Sequence, residues 1–225
     1  MSTVAIVDYG LGNLFSVHQA CRQAGLDAVI TSAGAEIANA RAVILPGIGA
    51  FGTAMETLRK LDLVEPICDF AHSGKPLLCI CLGMQLLMTE SHEFGRHRGL
   101  DLIPGEVVRF SDREHAGSRL KVPQVGWNRI FGTPAVWKHS LLQDVRDGEY
   151  MYFVHSYYCK PENAGVVLST TRYGETEFCS SLQSPNIFAC QFHPERSGPS
   201  GLTIYNALST TLTVGALYER PGLQS

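Results

Sequence analysis

Over residues 3–90, short apolar runs alternate with segments in which apolar residues recur at helical spacing, and few folds are compatible with this order. A run without polar interruption is typical of a strand buried on both faces, as in a parallel sheet. Such strands are predicted at residues 3–7, 27–31, 42–45 and 76–81, and helices at residues 14–24, 50–61, 63–72 and 83–90. The alternation predicts a doubly wound α/β fold of three layers, with a mixed, mostly parallel central sheet and helices on both faces.

The second half of the chain consists mainly of strand-like segments joined by Gly, Asn and Pro turns. These segments are residues 103–110, 121–131, 150–159, 165–171, 178–182 and 187–192, and a closing helix is predicted at residues 200–214. No linker rich in Pro, Gly or Ser separates the two halves. We therefore expect a single domain, residues 1–225, in which antiparallel strands extend the sheet.

Charge and cysteine content argue against several classes of protein. The net charge is −3 and there is no block of Lys or Arg, so neither nucleic acid nor an anionic membrane is expected as the main partner. Seven cysteines without regular spacing are not typical of a secreted disulfide framework. We find neither a signal-peptide pattern nor an apolar run close to the roughly 20 residues that cross a bilayer. We expect a cytoplasmic protein with reduced thiols.

Cys81 lies where a predicted strand runs directly into a predicted helix, followed by Leu82 and Gly83. This is the arrangement of a nucleophile elbow, in which a sharp strand-to-helix turn exposes the reactive atom. The helix dipole and the free N–H groups at a helix N-terminus favour the thiolate form of a cysteine. The Leu82 N–H would then be positioned to donate to an oxyanion. A buried cysteine can equally be a small structural hydrophobe, so the elbow alone leaves both interpretations open.

His193 and Glu195 lie two residues apart at the end of a predicted strand, with Pro194 between them. A catalytic cysteine needs a base that takes up its proton and returns it to the leaving amine, and a group that orients that base. We interpret His193 as the base and Glu195 as the orienting carboxylate. A histidine seen alone is more often structural, but an elbow cysteine about 110 residues upstream favours the catalytic role.

Residues 46–52, with the sequence PGIGAFG, follow the predicted strand 42–45. Glycines let the backbone approach a ligand closely and turn its N–H groups inward, as an oxyanion hole requires. The segment also matches the dinucleotide fingerprint G-x-G-x-x-G, but it follows the third strand and no strand-end acid stands about 20 residues further on. No cofactor is therefore predicted. Cys79 and Cys81 could pair on a metal, but no second Cys/His cluster supports zinc, and no metal site is predicted.

Five segments, in this order, resemble the class I (triad) glutamine amidotransferases: PGIGAFG, CICLGMQLL, VPQVGWN, YFVHSYY and QFHPERSG. The opening VAIVDYGLGNLFSV and the VPQVGWN segment narrow the resemblance to the glutaminase subunits of imidazole glycerol phosphate synthase, which belong to histidine biosynthesis. The resemblance extends from about residue 3 to residue 212. It implies the flavodoxin-like fold of class I glutamine amidotransferases.

The resemblance implies hydrolysis of glutamine to glutamate and ammonia. Cys81 would attack the side-chain amide to form a glutamyl thioester, and His193 would protonate the departing ammonia before water releases glutamate. The oxyanion would be bound by N–H groups of Leu82 and of the Ile48–Gly49 peptide. The residues that resemble glutamine contacts are Gln85 and Glu90, both expected on the helix after the elbow, and Ser156.

The same resemblance implies a heterodimer with a (β/α)₈-barrel cyclase subunit, which uses the ammonia to make imidazole glycerol phosphate and aminoimidazole carboxamide ribonucleotide. Glutamine turnover is expected to be slow without that partner, because the oxyanion peptide must reorient. Five residues resemble interface positions: Asn13, Gln124, Trp127, Tyr152 and Arg196. The chain departs from the family pattern at Cys79, where glycine is usual, and at two partner-facing positions, with Gln124 for histidine and Arg196 for lysine.

Several alternatives remain open from the sequence. Asn13 could be a helix cap, Trp127 a core aromatic and Tyr152 an alternating strand residue. The same chemistry could feed another synthase, such as one for a surface sugar, or the elbow could belong to a cysteine peptidase or another acyl hydrolase. A non-catalytic binding subunit is disfavoured because all three triad residues are present.

Overall fold

The computed structural model of the protein describes residues 4–111, 114–115, 118–132 and 134–214. The strands are β1 (Val4–Val7), β2 (Ala28–Thr31), β3 (Ala42–Gly47), β4 (Leu77–Cys81), β5 (Met88–Ser91), β6 (His97–Arg98), β7 (Ile103–Arg109), β8 (Glu114–His115), β9 (Ser118–Arg119), β10 (Gln124–Arg129), β11 (Tyr150–His155), β12 (Tyr157–Pro161), β13 (Val167–Tyr173), β14 (Thr176–Ser184) and β15 (Ile187–Cys190). The α-helices are α1 (Leu14–Gln23), α2 (Gly34–Asn39), α3 (Phe51–Lys60), α4 (Val64–His72), α5 (Leu82–Leu86), α6 (Pro134–Trp137) and α7 (Gly198–Val214). Short 3₁₀ turns occur at Ala164–Val166 and Pro194–Arg196.

The central sheet has seven strands in the order β13-β14-β15-β4-β3-β1-β2. The strands from β15 to β2 are parallel, and β14 and β13 extend the sheet antiparallel. A four-stranded sheet, β12-β7-β5-β6, and the pairs β10–β11 and β8–β9 contain the remaining strands. The prediction of a mixed, mostly parallel central sheet is confirmed.

Helices cover both faces of the central sheet because successive strand side chains point to opposite sides. Val7 of β1 belongs to one apolar core together with Met55 of α3. Its neighbour Ile6 belongs to a second core, with Val17 of α1 and Ile204 of α7. The predicted three layers are therefore present. In the part of the chain that the structure describes, no helix is both long and apolar enough to span a membrane.

The segment after the elbow differs from its prediction as a helix over residues 83–90. α5 ends at Leu86, and β5 begins at Met88, which pairs with Ile103 of β7. Pairing with a distant strand thus overrides the local helical spacing, and Glu90 lies on β5 rather than on a helix. The helix α2 was not predicted, because its six residues are too short for a clear periodicity.

The other boundaries shift by a few residues. The predicted strand 150–159 is divided into β11 and β12 by a bend at Ser156, and the predicted strand 121–131 is shortened to β10. Thr3, predicted to open the first strand, lies outside the described residues. The bend at Ser156 turns the chain at the C-terminal end of β11, beside the cysteine corner described below.

Candidate active site

Cys81 is the last residue of β4 and lies directly before α5, so the predicted strand-to-helix corner is present. Its φ of 54° and ψ of −108° fall outside the regions that a residue with a side chain normally occupies. Cys79, two residues earlier, packs in one core, whereas Cys81 packs in the other. The corner therefore breaks the strand's alternation and redirects the Cys81 side chain, as in a nucleophile elbow.

Glycine at position 83 allows this corner to approach the neighbouring strand. A Cβ on Gly83 would collide with the carbonyl oxygen of Leu45 in β3, and a Cβ on Gly47 would collide with the Tyr9 hydroxyl. Cys79, which stands where the family usually has glycine, is fully buried, and burial raises the pKa of its thiol. Cys79 therefore stays protonated at neutral pH and is a core residue.

His193 and Glu195 form the ion pair expected of a base and its orienting carboxylate. Nδ1 of His193 lies 2.8 Å from Oε1 of Glu195, and the two side chains are 4% and 1% exposed. The backbone at His193 is also fixed, because its N–H donates to the Tyr152 carbonyl at 2.9 Å and its carbonyl accepts from the Ser197 hydroxyl at 2.7 Å. The imidazole therefore has one defined orientation.

The charge state of His193 is set by its neighbours. Burial acts to lower its pKa, but the Cys81 sulfur, through its charge and as a hydrogen-bond acceptor, and the Glu195 carboxylate together raise the pKa to about 10. Nε2 of His193 is buried without a hydrogen-bond partner of good geometry among the described residues. A protonated His193 is thus favoured near neutral pH.

A cavity of about 430 Å³ opens beside Cys81. It brings together most of the residues that the sequence predicts around the sulfur, namely Ile48, Gly49, Leu82, Gln85 and Ser156. Gln85 is held in place, since its Nε2 donates to the Tyr157 carbonyl at 2.9 Å and to Oε1 of Gln191 at 3.0 Å. The cavity is therefore lined by Cys81, by Ile48 and Gly49, and by the anchored Gln85.

Glu90 is not brought to this cavity. Its carboxylate binds Arg96 at 2.6 Å and lines a separate groove with Glu106 and Lys160. The acidic residue at the cysteine cavity is Glu93, which was missed because the helix was predicted to run through residue 90. Oε2 of Glu93 accepts a hydrogen bond from the Phe51 N–H at 2.6 Å, so the carboxylate is anchored at the start of α3. The available sequence signal was an acid in the turn after β5, twelve residues beyond Cys81.

Trp127 and Arg196 are exposed side chains that contact the half-buried Tyr152 near His193. Trp127 is 52% exposed on β10 and contacts Tyr152 of β11 with ring centroids 6.0 Å apart, so its interpretation as a core aromatic is wrong. The Arg196 guanidinium lies 4.5 Å from the centroid of the Tyr152 ring. Asn13 caps α1, as its side-chain oxygen accepts from the Ser16 N–H at 3.4 Å. We call Trp127, Tyr152 and Arg196 the aromatic row.

Gln124 does not belong to this exposed face. Alternate residues of β10 point inward, and Gln124 is 2% exposed opposite His155 of β11. Neither atom of its amide group has a hydrogen-bond partner among the described residues. The expectation of a partner-facing Gln124 is therefore corrected: its side chain lies in the interior.

The chain matches the family described as Glutamine amidotransferase class-I over residues 5–207. Imidazole glycerol phosphate synthase subunit HisH from Geobacter metallireducens is 46% identical over 205 residues, which cover 91% of this chain and 96% of that protein. The protein of the same name from Syntrophotalea carbinolica is 48% identical over 203 residues, or 89% of this chain and 96% of that protein.

Solved structures are similar to this fold at low sequence identity. PurLQS from Thermotoga maritima has a TM-score of 0.70 at 15% identity and covers 94% of this chain and 100% of that chain. A glutamine amidotransferase from Thermotoga maritima has a TM-score of 0.57 at 15% identity, with 94% and 85% covered. These likenesses concern the fold alone. The family match and the close relatives, which extend over most of the sequence, show that the chain belongs to the class I glutamine amidotransferases and, within them, to the family of imidazole glycerol phosphate synthase subunit HisH.

Proposed function

We propose that this chain, as a single domain of residues 1–225, hydrolyses glutamine in the cytoplasm and delivers the ammonia to a (β/α)₈-barrel cyclase subunit. Glutamine amidotransfer within imidazole glycerol phosphate synthase is the function of the family to which it belongs. The observation that carries the proposed site is the strained corner at Cys81, whose sulfur interacts electrostatically with the His193 side chain and lines a cavity of about 430 Å³. The proposed nucleophile, the proposed acid–base group and a cavity for the substrate therefore lie next to one another.

In the proposed mechanism the Cys81 thiolate attacks the amide carbon of glutamine, and the carbonyl electron pair moves onto oxygen. N–H groups of Leu82 and of the Ile48–Gly49 peptide bind this oxyanion. When the tetrahedral intermediate collapses, the C–N bond breaks and Nε2 of His193 gives its proton to the leaving nitrogen, which departs as ammonia. The neutral imidazole then takes a proton from water, and the hydroxide that forms displaces sulfur from the thioester to give glutamate.

The polar groups around the cavity suit the two ends of glutamine. Glu93 is a carboxylate at the cavity with one oxygen already held by the Phe51 N–H, and it would pair with the α-ammonium group. Both N–H groups of the Gln85 amide donate to protein acceptors, so its carbonyl oxygen would accept from the amide NH₂ of glutamine. Ser156, at the bend between β11 and β12, lines the same cavity and is proposed as a third contact.

The aromatic row supports a partner that docks next to the acid–base pair. Tyr152 touches His193, with ring centroids 6.5 Å apart, so a protein seated on the row would lie close to the point of ammonia release. Trp, Tyr and Arg side chains are enriched at protein interfaces. Ammonia that escaped into bulk water would be protonated and lose its nucleophilic lone pair. A docked cyclase with a dry conduit avoids that loss.

The deciding experiment measures glutamate release from glutamine by the purified chain, first by itself and then with a cyclase partner plus the nucleotide substrate of that partner. The proposal expects slow release from the isolated chain and a clear rise in the complex. Peptides and esters are offered in parallel as substrates. Equal rates with and without the cyclase would contradict the partner, and cleavage of peptides or esters in preference to glutamine would favour an acyl hydrolase instead.

A further inference from the structure

Gln191, directly after β15, has a fully buried side chain that the mechanism above does not use. Its Nε2 donates to Sγ of Cys81 at 3.5 Å, and its Oε1 accepts from Nε2 of Gln85 at 3.0 Å. Its backbone N–H donates to the Ser180 carbonyl at 2.9 Å. The side chain thus bridges the nucleophile and a proposed glutamine contact, and its own backbone is fixed by the neighbouring strand.

The contacts determine which way both amides face. Nε2 of Gln85 donates to the Tyr157 carbonyl and to Gln191, so both of its N–H bonds are used and its carbonyl oxygen is left toward the cavity. If the Gln191 amide were reversed, its NH₂ would oppose the NH₂ of Gln85 and its oxygen would oppose the sulfur. Both contacts would then be repulsive when the sulfur is a thiolate. Only the observed orientation of the two amides lets Gln85 donate to Tyr157 and Gln191 while Gln191 donates to the Cys81 sulfur.

We propose that Gln191 is a positioning residue for glutamine hydrolysis, which stabilises the Cys81 thiolate through its NH₂ group and fixes the Gln85 carbonyl toward the substrate amide through its oxygen. The inference rests on the proposed function, in which Cys81 is the nucleophile. The proposal predicts one effect for each end of the Gln191 amide. Loss of the NH₂ donor destabilises the Cys81 thiolate relative to the thiol. Loss of the oxygen acceptor lets the Gln85 side chain rotate and weakens glutamine binding.

Two variants separate these effects. Gln191→Met keeps the length of the side chain but removes donor and acceptor, whereas Gln191→Glu keeps an acceptor for Gln85 and removes the donor. The first readout is the pH profile of iodoacetamide alkylation at Cys81, resolved by mass spectrometry, with the half-buried Cys68 of α4 as internal reference. The second is KM for glutamine in the complex with the cyclase.

In Gln191→Met we expect the midpoint of the Cys81 alkylation profile to rise by about one pH unit and KM to rise about tenfold, which is the size of one lost hydrogen bond to a charged or oriented group. In Gln191→Glu the midpoint rises at least as far, but KM changes less than about threefold. The matched control is Gln183→Met, another buried glutamine, which lies near the opposite end of the neighbouring strand β14 and binds the His139 carbonyl. It should change neither quantity.

An unchanged alkylation midpoint in both Gln191 variants, or an equal shift in Gln183→Met, would overturn the proposal. Circular dichroism shows whether each variant is folded, and Gln191→Glu carries the test if Gln191→Met is not. Alkylation follows the sulfur itself and needs no turnover, so the result is separate from the fate of the proposed function. That function fails if Cys81→Ala retains glutaminase activity, whatever the Gln191 variants do.

Discussion

The Nδ1–H of His193 points at Oε1 of Glu195 over 2.8 Å, in a site from which water is almost excluded. When the imidazole is neutral, this contact favours the tautomer with the proton on Nδ1, which leaves Nε2 available for the proton transfers of the proposed mechanism. The second carboxylate oxygen of Glu195 has no hydrogen-bond partner among the described residues. The negative charge is therefore compensated chiefly by the imidazolium, and the pair acts as one unit.

Glu195→Gln should preserve the orientation of His193 in part, since an amide oxygen can still accept from Nδ1, but it removes the charge that supports the imidazolium. We expect kcat for glutamine hydrolysis to fall by about 10² to 10⁴-fold, with little change in the free energy of unfolding. Steady-state glutamate release by the complex measures kcat. The exposed Glu162 supplies the control, Glu162→Gln, which should behave as wild type. A full rate in Glu195→Gln would remove the carboxylate from the mechanism.

Cys81→Ala should lower glutamine-dependent synthesis by at least about 1,000-fold, because the Cys81 sulfur forms the thioester in the proposed mechanism. Synthesis from added ammonia should continue, since the cyclase chemistry does not need the sulfur. Cys79→Ala is the matched control: the same chemical change, two residues away, in a side chain buried in the other core. Loss of glutamine use in Cys79→Ala alone would mean that the wrong sulfur had been assigned.

Gly83→Ala tests whether close packing of α5 on β3 maintains the corner. The added methyl would meet the Leu45 carbonyl oxygen, which is backbone and cannot move aside, so the helix must shift. We expect a loss of about 3 kcal/mol in the free energy of unfolding and a parallel loss of glutaminase activity. Gly74→Ala, at φ 77° with open space around it, should cost only about 1 kcal/mol and leave activity intact. Urea unfolding and glutamate release compare the two variants.

The sequence was sufficient for those parts of the site that are encoded locally. An uninterrupted apolar strand before Cys81 and Gly83 just after it mark the corner, and the spacing of His193 and Glu195 is fixed by one proline. Burial of both strand faces also follows from the apolar runs, which is why the three layers could be predicted. Each of these features depends on neighbours within a few residues.

Features that depend on distant pairing could not be predicted in this way. Glu93 rather than Glu90 reaches the cavity because Met88 pairs with Ile103, which ends the helix early. Gln124 turns inward because it lies opposite His155 on another strand. The register between paired strands decides which face of the sheet a residue occupies, and that register cannot be inferred from one amino-acid sequence.

His155 gives the fold a predictable acid sensitivity. Burial lowers its pKa to about 4, with the Tyr157 carbonyl opposing this shift and the charge of His193 adding to it. In the unfolded chain the histidine titrates near its ordinary value of 6.5. Between these two values the unfolded state binds a proton that the folded state does not, so the free energy of unfolding falls as the pH falls.

The His155 contribution should be about 2 kcal/mol between pH 6.5 and pH 5 and about 3 kcal/mol by pH 4. Urea unfolding of wild type and His155→Asn at pH 7 and pH 5 isolates the contribution of His155 to the free energy of unfolding, because asparagine does not titrate. The variant is expected to be less stable at pH 7 but to lose less stability on acidification. His72→Asn, at an exposed position of α4, controls for the loss of any histidine. Identical pH dependence in wild type and His155→Asn would exclude this histidine as the sensor.

The aromatic row provides the test of the proposed partner surface. The Trp127 ring is half exposed and contacts Tyr152 edge-on, so its removal should change the free energy of unfolding of the isolated chain by less than about 1 kcal/mol. In a complex seated on this row the same ring would be buried, and Trp127→Ala should raise Kd for the cyclase at least about tenfold. Titration calorimetry with the two purified proteins measures Kd, and Leu61→Ala, an exposed apolar residue just after α3, is the matched control. If Trp127→Ala binds as tightly as Leu61→Ala, the cyclase docks elsewhere, and the ammonia released from glutamine beside His193 must take a route that does not pass Tyr152.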